Sequence, residues 1–124
     1  MENDRITFMF CAFEGSPLIL RLYGTGRIVL PDSDEWRDMI GQFDWIPGAR
    51  QIVRATIHLV QTSCGYAVPF FDYVDERDTL ERFALQTGEV ELENYRREKN
   101  AVSIDGLATP IGLHAKPTED PTVG

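Results

Sequence analysis

Arg50-Gln51-Ile52-Val53-Arg54-Ala55-Thr56-Ile57-His58-Leu59-Val60-Gln61-Thr62-Ser63-Cys64-Gly65 is the stretch that decides the fold class. Val53, Ala55, Ile57 and Leu59 fall on one face of an extended backbone, and Arg54, Thr56 and His58 fall on the other. Side chains alternate across a strand, so this pattern predicts a β-strand over 50–60 with an apolar face toward a core. Gln61-Thr62-Ser63-Cys64-Gly65 then breaks the alternation and sets an amide, two hydroxyls and a thiol at the strand's end. Such groups hydrogen-bond the carbonyls and ring nitrogens of a planar heterocycle, and Gly65 permits a close backbone approach. They serve equally as a polar strand end or bulge that satisfies its own backbone. His58 points away from the core on this reading and has no Cys or His at ligand spacing, while His114 lies in a polar tail. No metal site is expected. Cys64 and Ser63 lie too far along a strand from His58 for a thiolate pair or a catalytic triad.

Upstream of this strand, Arg5 to Phe13 is a short apolar run, rich in aromatic residues, that reads as a strand. Glu14-Gly15-Ser16-Pro17 is turn chemistry, and Leu18 to Tyr23 is the next strand, with Arg21 as its single charge. Gly24-Thr25-Gly26 is expected to interrupt that strand at a bulge or bend before Arg27 to Leu30 resumes it. A helix is predicted over 33–43. Asp32 and Glu35 have the spacing of a capping box, and Trp36, Met39, Ile40 and Phe43 form its apolar stripe. Downstream, Tyr66 to Tyr73 is expected to be an edge strand, because Pro69 cannot donate to a ladder. Helices are predicted over 76–86, with Leu80, Phe83 and Ala84 on one face, and over 89–99, with Leu92 and Tyr95 as a short stripe. Gly88 separates the two.

This order, strand, strand, helix, strand, strand, helix, helix, contains no parallel crossover unit. It points to a mainly β chain, an antiparallel sheet or barrel with helices attached. The chain has no Gly-rich dinucleotide fingerprint, no P-loop, no nucleophile elbow and no paired-histidine zinc motif. The 124 residues suit one domain. Lys+Arg 12 against Asp+Glu 20 gives a net charge of −8, which disfavours nucleic acid and anionic membrane surfaces as partners. The basic residues are almost all Arg, the residue suited to bidentate contacts with carboxylates and phosphates. Arg21 and Arg50 are the two on predicted rigid elements, each able to bind an anion or to serve a structural ion pair. Cys11 and Cys64 form no disulfide framework and are expected to be buried free thiols. No apolar run reaches the length of a membrane span, and a reducing cytoplasm is the expected location.

Several blocks together resemble the pyridoxamine 5′-phosphate oxidase-related, FMN-binding split-barrel proteins. They are Arg5-Ile6-Thr7 leading into Met9-Phe10-Cys11-Ala12-Phe13-Glu14-Gly15, then Leu20-Arg21-Leu22-Tyr23-Gly24, then Pro47-Gly48-Ala49-Arg50-Gln51-Ile52. Val60-Gln61-Thr62-Ser63-Cys64-Gly65-Tyr66 follows, and Tyr95-Arg96-Arg97-Glu98-Lys99-Asn100 with Ser103-Ile104-Asp105-Gly106-Leu107 completes the set. The resemblance implies an antiparallel split β-barrel over 1–107, followed by a flexible tail over 108–124. It implies a homodimer with FMN in a groove between subunits. By the same resemblance Arg21, Gln61, Thr62, Ser63 and Cys64 are the cofactor-binding residues. The family's barrel begins further upstream, with a Ser-Pro-Lys-Gly-like segment and a Gly-, Ser- and Asn-rich segment that clamp the phosphate. This chain looks N-terminally truncated by comparison, so impaired FMN binding is expected. The implied function is that of a flavin-dependent oxidoreductase of unnamed substrate, with no catalytic residue identified. A non-enzymatic flavin-binding module and a ligand-free structural dimer are the alternatives.

Overall fold

The computed structural model describes residues 4–114. Its elements run β1 (Arg5–Cys11), β2 (Leu18–Val29), α1 (Asp34–Ile40), β3 (Ile52–Cys64), α2 (Thr79–Thr87), α3 (Glu89–Lys99) and α4 (Pro110–His114). The described residues gather into two compact units. One holds residues 4–28 and 53–77, the other residues 29–52 and 78–114. The segment 1–107 that reads as one domain runs through both.

The first unit is a three-stranded antiparallel sheet in the order β1-β2-β3, with β2 in the middle. β1 and β2 form a hairpin whose register runs from Arg5 opposite Thr25 to Cys11 opposite Ile19. The Ala12 amide closes the turn by donating to the Leu18 carbonyl at 2.9 Å. β2 is continuous through Gly24-Thr25-Gly26, where the sequence pattern suggested an interruption. Gly24 is there for closeness instead: a Cβ on it would sit 2.3 Å from the Thr56 carbonyl oxygen on β3. Gly65 plays a similar part at the end of β3, where a Cβ would meet the Leu18 amide nitrogen at 2.7 Å.

Several expectations are corrected. No barrel closes among the described residues, because three strands with β1 and β3 as edges leave no further strand to complete the ring. With four helices in addition to the three strands, the class is mixed rather than mainly β. Tyr66 to Tyr73 forms no strand: the Val68 amide turns back to the Gly65 carbonyl at 2.8 Å, and the Phe71 amide donates to the Phe13 carbonyl at 3.1 Å. The Phe13 and Phe71 rings meet edge to face at 5.3 Å. The apolar face expected of β3 is open, with Leu59 57% exposed, and Cys64 is exposed and Cys11 half-buried rather than both buried.

The second unit is helical. Ser33 caps α1, its hydroxyl accepting from the Trp36 amide at 3.1 Å and donating to the Leu30 carbonyl at 2.8 Å. Asp32, the expected capping-box residue, instead takes a left-handed conformation with φ 70°. The helix ends at Ile40, so Phe43 leaves the predicted stripe and is half-exposed. α2 and α3 fall close to their predicted spans. Ala84 and Leu92 are buried, whereas Leu80 is not. Phe83 and Tyr95 stack edge to face across the two helices at 6.3 Å. One Arg96 N–H donates to the Gly48 carbonyl at 2.8 Å and ties α3 to the connection before β3. Residues 110–114 of the expected tail form α4, whose Gly112 amide donates to the Thr109 hydroxyl at 3.0 Å. The remainder of that tail, 115–124, lies outside the described residues.

Gly24→Ala should therefore destabilise the chain by about 1–3 kcal/mol, the range for overpacking, because backbone and not a flexible side chain blocks the methyl. Gly41→Ala, at a right-handed φ of −68° with open space around it, is the control and should change little. Urea unfolding of both variants checks this.

Candidate functional site

β2 places Arg21, Tyr23 and Thr25 at alternate positions, hence on one face of the sheet. β3 meets each of them with a polar side chain. Arg21 donates through one guanidinium N–H to the Ser63 hydroxyl at 2.9 Å. The Tyr23 hydroxyl donates to Gln61 Oε1 at 3.1 Å. The Thr25 hydroxyl and His58 Nε2 lie 2.9 Å apart in a third hydrogen bond. Ser63 and Gln61 are two residues apart, but Gln61 and His58 are three apart. One extra residue on β3 is thus accommodated between these pairs, which has the count of a β-bulge. This is what brings His58 onto the same face as Gln61.

The result is a row of guanidinium, phenol, amide, hydroxyl and imidazole across two strands. Arg21 and Ser63 are half-buried, and Gln61, Thr25 and His58 face solvent. Arg21 bonds a neutral hydroxyl there, so its charge is oriented by Ser63 without being cancelled by it. A guanidinium has five N–H donors, and the Gln61 amide has two N–H donors besides the oxygen that Tyr23 engages. The row can therefore offer donors to an anion at one end and to a planar heterocycle beside it.

The structure brings together Arg21, Gln61 and Ser63 of the expected site residues. Thr62 and Cys64 alternate with them and lie on the opposite face of β3. Tyr23, Thr25 and His58 belong to the row and were missed. The signal was present as the period-two reading Arg21-x-Tyr23-x-Thr25, which is lost when Gly24 is read as a break. Ser63 and His58 bond different residues of β2 and form no nucleophile–base pair. Among the described residues no group of three or more His, Cys, Asp or Glu is placed to hold a metal ion, and no helix is long and apolar enough to cross a membrane.

The chain is 34% identical, over an alignment of 135 positions, to the pyridoxamine 5'-phosphate oxidase family protein ustO of Aspergillus flavus. The alignment covers 92% of this chain and 51% of that relative, so the chain spans about half the length of the curated relative it matches. No protein-family model matches the chain, and no solved structure is a significant match. Over the stretch it shares with this homologue, the chain is similar to a protein of the pyridoxamine 5'-phosphate oxidase family.

The row makes a measurable claim on stability. A double-mutant cycle with Arg21→Met and Ser63→Ala should return a coupling of about 1 kcal/mol, as for a partly buried hydrogen bond to a charged group. The Tyr23→Phe and Gln61→Ala cycle, at an exposed pair, should return about half of that or less. Denaturant midpoints of the single and double variants give both values.

Proposed function

We propose that, as a member of the pyridoxamine 5'-phosphate oxidase family, the chain supplies one wall of an FMN site and acts as part of a flavin-dependent oxidoreductase. The observation that carries this reading is the row in which Arg21 meets Ser63 and Tyr23 meets Gln61. An isoalloxazine edge presents carbonyl oxygens and ring nitrogens, and the Gln61 amide and Ser63 hydroxyl have matching groups. Arg21 supplies a cation for the phosphate. FMN brings the redox chemistry when bound. The chain's own part is to bind, to orient and to keep water from one face. No side chain here is assigned a proton transfer.

The same row argues that this binding is weak in the isolated chain. One guanidinium faces a phosphate dianion, in a chain of net charge −8. A second copy of the chain is the proposed partner. Val53, Leu59 and Val60 on β3, with Tyr66 and Phe70 beyond it, are exposed apolar side chains that pairing would cover. The free thiols Cys11 and Cys64 suit a reducing cytoplasm. A second reading, a ligand-free structural dimer, is favoured by one observation: each member of the row already bonds a partner across the strands, which stabilises the sheet by itself. A flavin-binding module without turnover stands between the two.

FMN fluorescence should be quenched saturably by the chain, with a dissociation constant in the micromolar range or weaker. Arg21→Ala and Ser63→Ala should each weaken it by about tenfold, the cost of one charge-assisted hydrogen bond. Absence of any saturable quenching would overturn the flavin reading and leave the structural one. Sedimentation should show a dimer that Leu59→Glu disrupts, and a monomer for the parent chain at all concentrations would sink the partner assignment.

A further inference from the structure

The second unit contains a cleft of about 290 Å³, formed where α1, α3, α4 and the approach to β3 converge. It shares no residue with the polar row on the sheet. Trp36 and Ile111 line it as apolar walls, Arg50 and Arg96 as cations, and Glu89 and Glu93 as anions. Asp32 and His114, 4.0 Å apart, complete its polar rim. The volume lies near the lower end of small-molecule pockets.

We propose that this cleft binds a small zwitterion, an α-amino acid with an aromatic or large apolar side chain. The two guanidinium groups are held by neutral oxygens. Arg50 donates to the Asn100 side-chain oxygen at 2.7 Å, and Arg96 to the Gly48 carbonyl at 2.8 Å. Each bond spends one N–H of five and leaves the positive charge in place. Both residues are thus oriented as carboxylate receivers by groups that do not compete for the role. Glu89, in the first turn of α3, supplies a carboxylate of the kind an ammonium group bonds. A plain anion would meet the Glu89 carboxylate, and a plain cation would meet the two guanidiniums. A ligand carrying both charges a few atoms apart is repelled by neither set. Trp36 is half-buried and supplies the surface on which an aromatic side chain packs.

Titration of the ¹⁵N-labelled full chain with L-phenylalanine tests this through the indole N–H signals. Trp36 lines the cleft and should shift saturably in the millimolar range. Trp45, which is exposed and outside the cleft, should not move. A Trp45→Phe variant assigns the two signals. 3-Phenylpropanoate lacks the ammonium and phenethylamine lacks the carboxylate, and each should bind at least about tenfold more weakly. Arg50→Gln should weaken L-phenylalanine by a similar factor without weakening phenethylamine. Glu89→Gln should do the converse, weakening L-phenylalanine but not 3-phenylpropanoate, and stands in if the first variant fails to fold. A Trp36 signal that never shifts, or equal affinity for either half-ligand, overturns the proposal.

Discussion

The approach of β2 to β3 at Gly24 is the constraint on which the sheet's polar row depends. Any side chain there would collide with the Thr56 carbonyl, whose displacement would move the β3 backbone away. Arg21, Tyr23 and Thr25 reach Ser63, Gln61 and His58 across the same two strands. A hydrogen bond of 2.9–3.1 Å tolerates little change in strand separation. β2 is also the middle strand, so its register with β1 and its closeness to β3 are fixed together. One missing Cβ thus admits the β3 backbone beside the strand that carries the row.

Local pattern made the elements legible and left the cover of their faces illegible. Period-two alternation located β3, and capping residues with an i, i+3, i+4 stripe located α1, since both signals are carried by neighbours in sequence. Gly24 misled because a glycine in a strand has two uses, to bend the chain or to admit another backbone, and the sequence does not say which. Tyr66 to Tyr73 misled because aromatic and β-branched composition reports fitness for a half-buried surface, not the presence of a strand to pair with. The bulge that turns His58 toward Gln61 depends on β2 and is invisible in β3 alone. Arg21, Gln61 and Ser63 enter the expected site through the family resemblance, whereas the cross-strand partners Tyr23, Thr25 and His58 follow only from the pairing of β2 with β3.

The excess of Arg over Lys has a common explanation in both units. Arg21, Arg50 and Arg96 each bond a neutral oxygen on a distant part of the chain, a hydroxyl, an amide or a carbonyl. The planar fork serves as a strut that fixes direction while its charge stays available. By contrast, the ion pairs Arg37–Asp34 and Arg82–Asp78 are local to one helix end and largely exposed, a setting in which such pairs contribute little. The struts, not the surface pairs, are where the chain's positive charge is positioned for use. They mark the sheet's polar row in one unit and the cleft in the other.

Burial limits what the described residues accomplish alone. Among the described residues, Val29, Ile52, Ala84 and Leu92 are the buried hydrophobic side chains, while Leu59, Val60, Phe70 and Tyr66 face water. Folding depends mainly on removing apolar surface from water, and each large side chain left exposed forgoes about 1.5–3 kcal/mol of that gain. β1 and β3 are sheet edges, whose outward backbone groups are free to pair with a further strand. Exposed apolar side chains and open strand edges occur on the same three-stranded sheet that carries the polar row. Whatever covers the first will also set how much water reaches the second. The depth of a site on this sheet therefore depends on what lies against it, while the identity of its polar groups is fixed by β2 and β3.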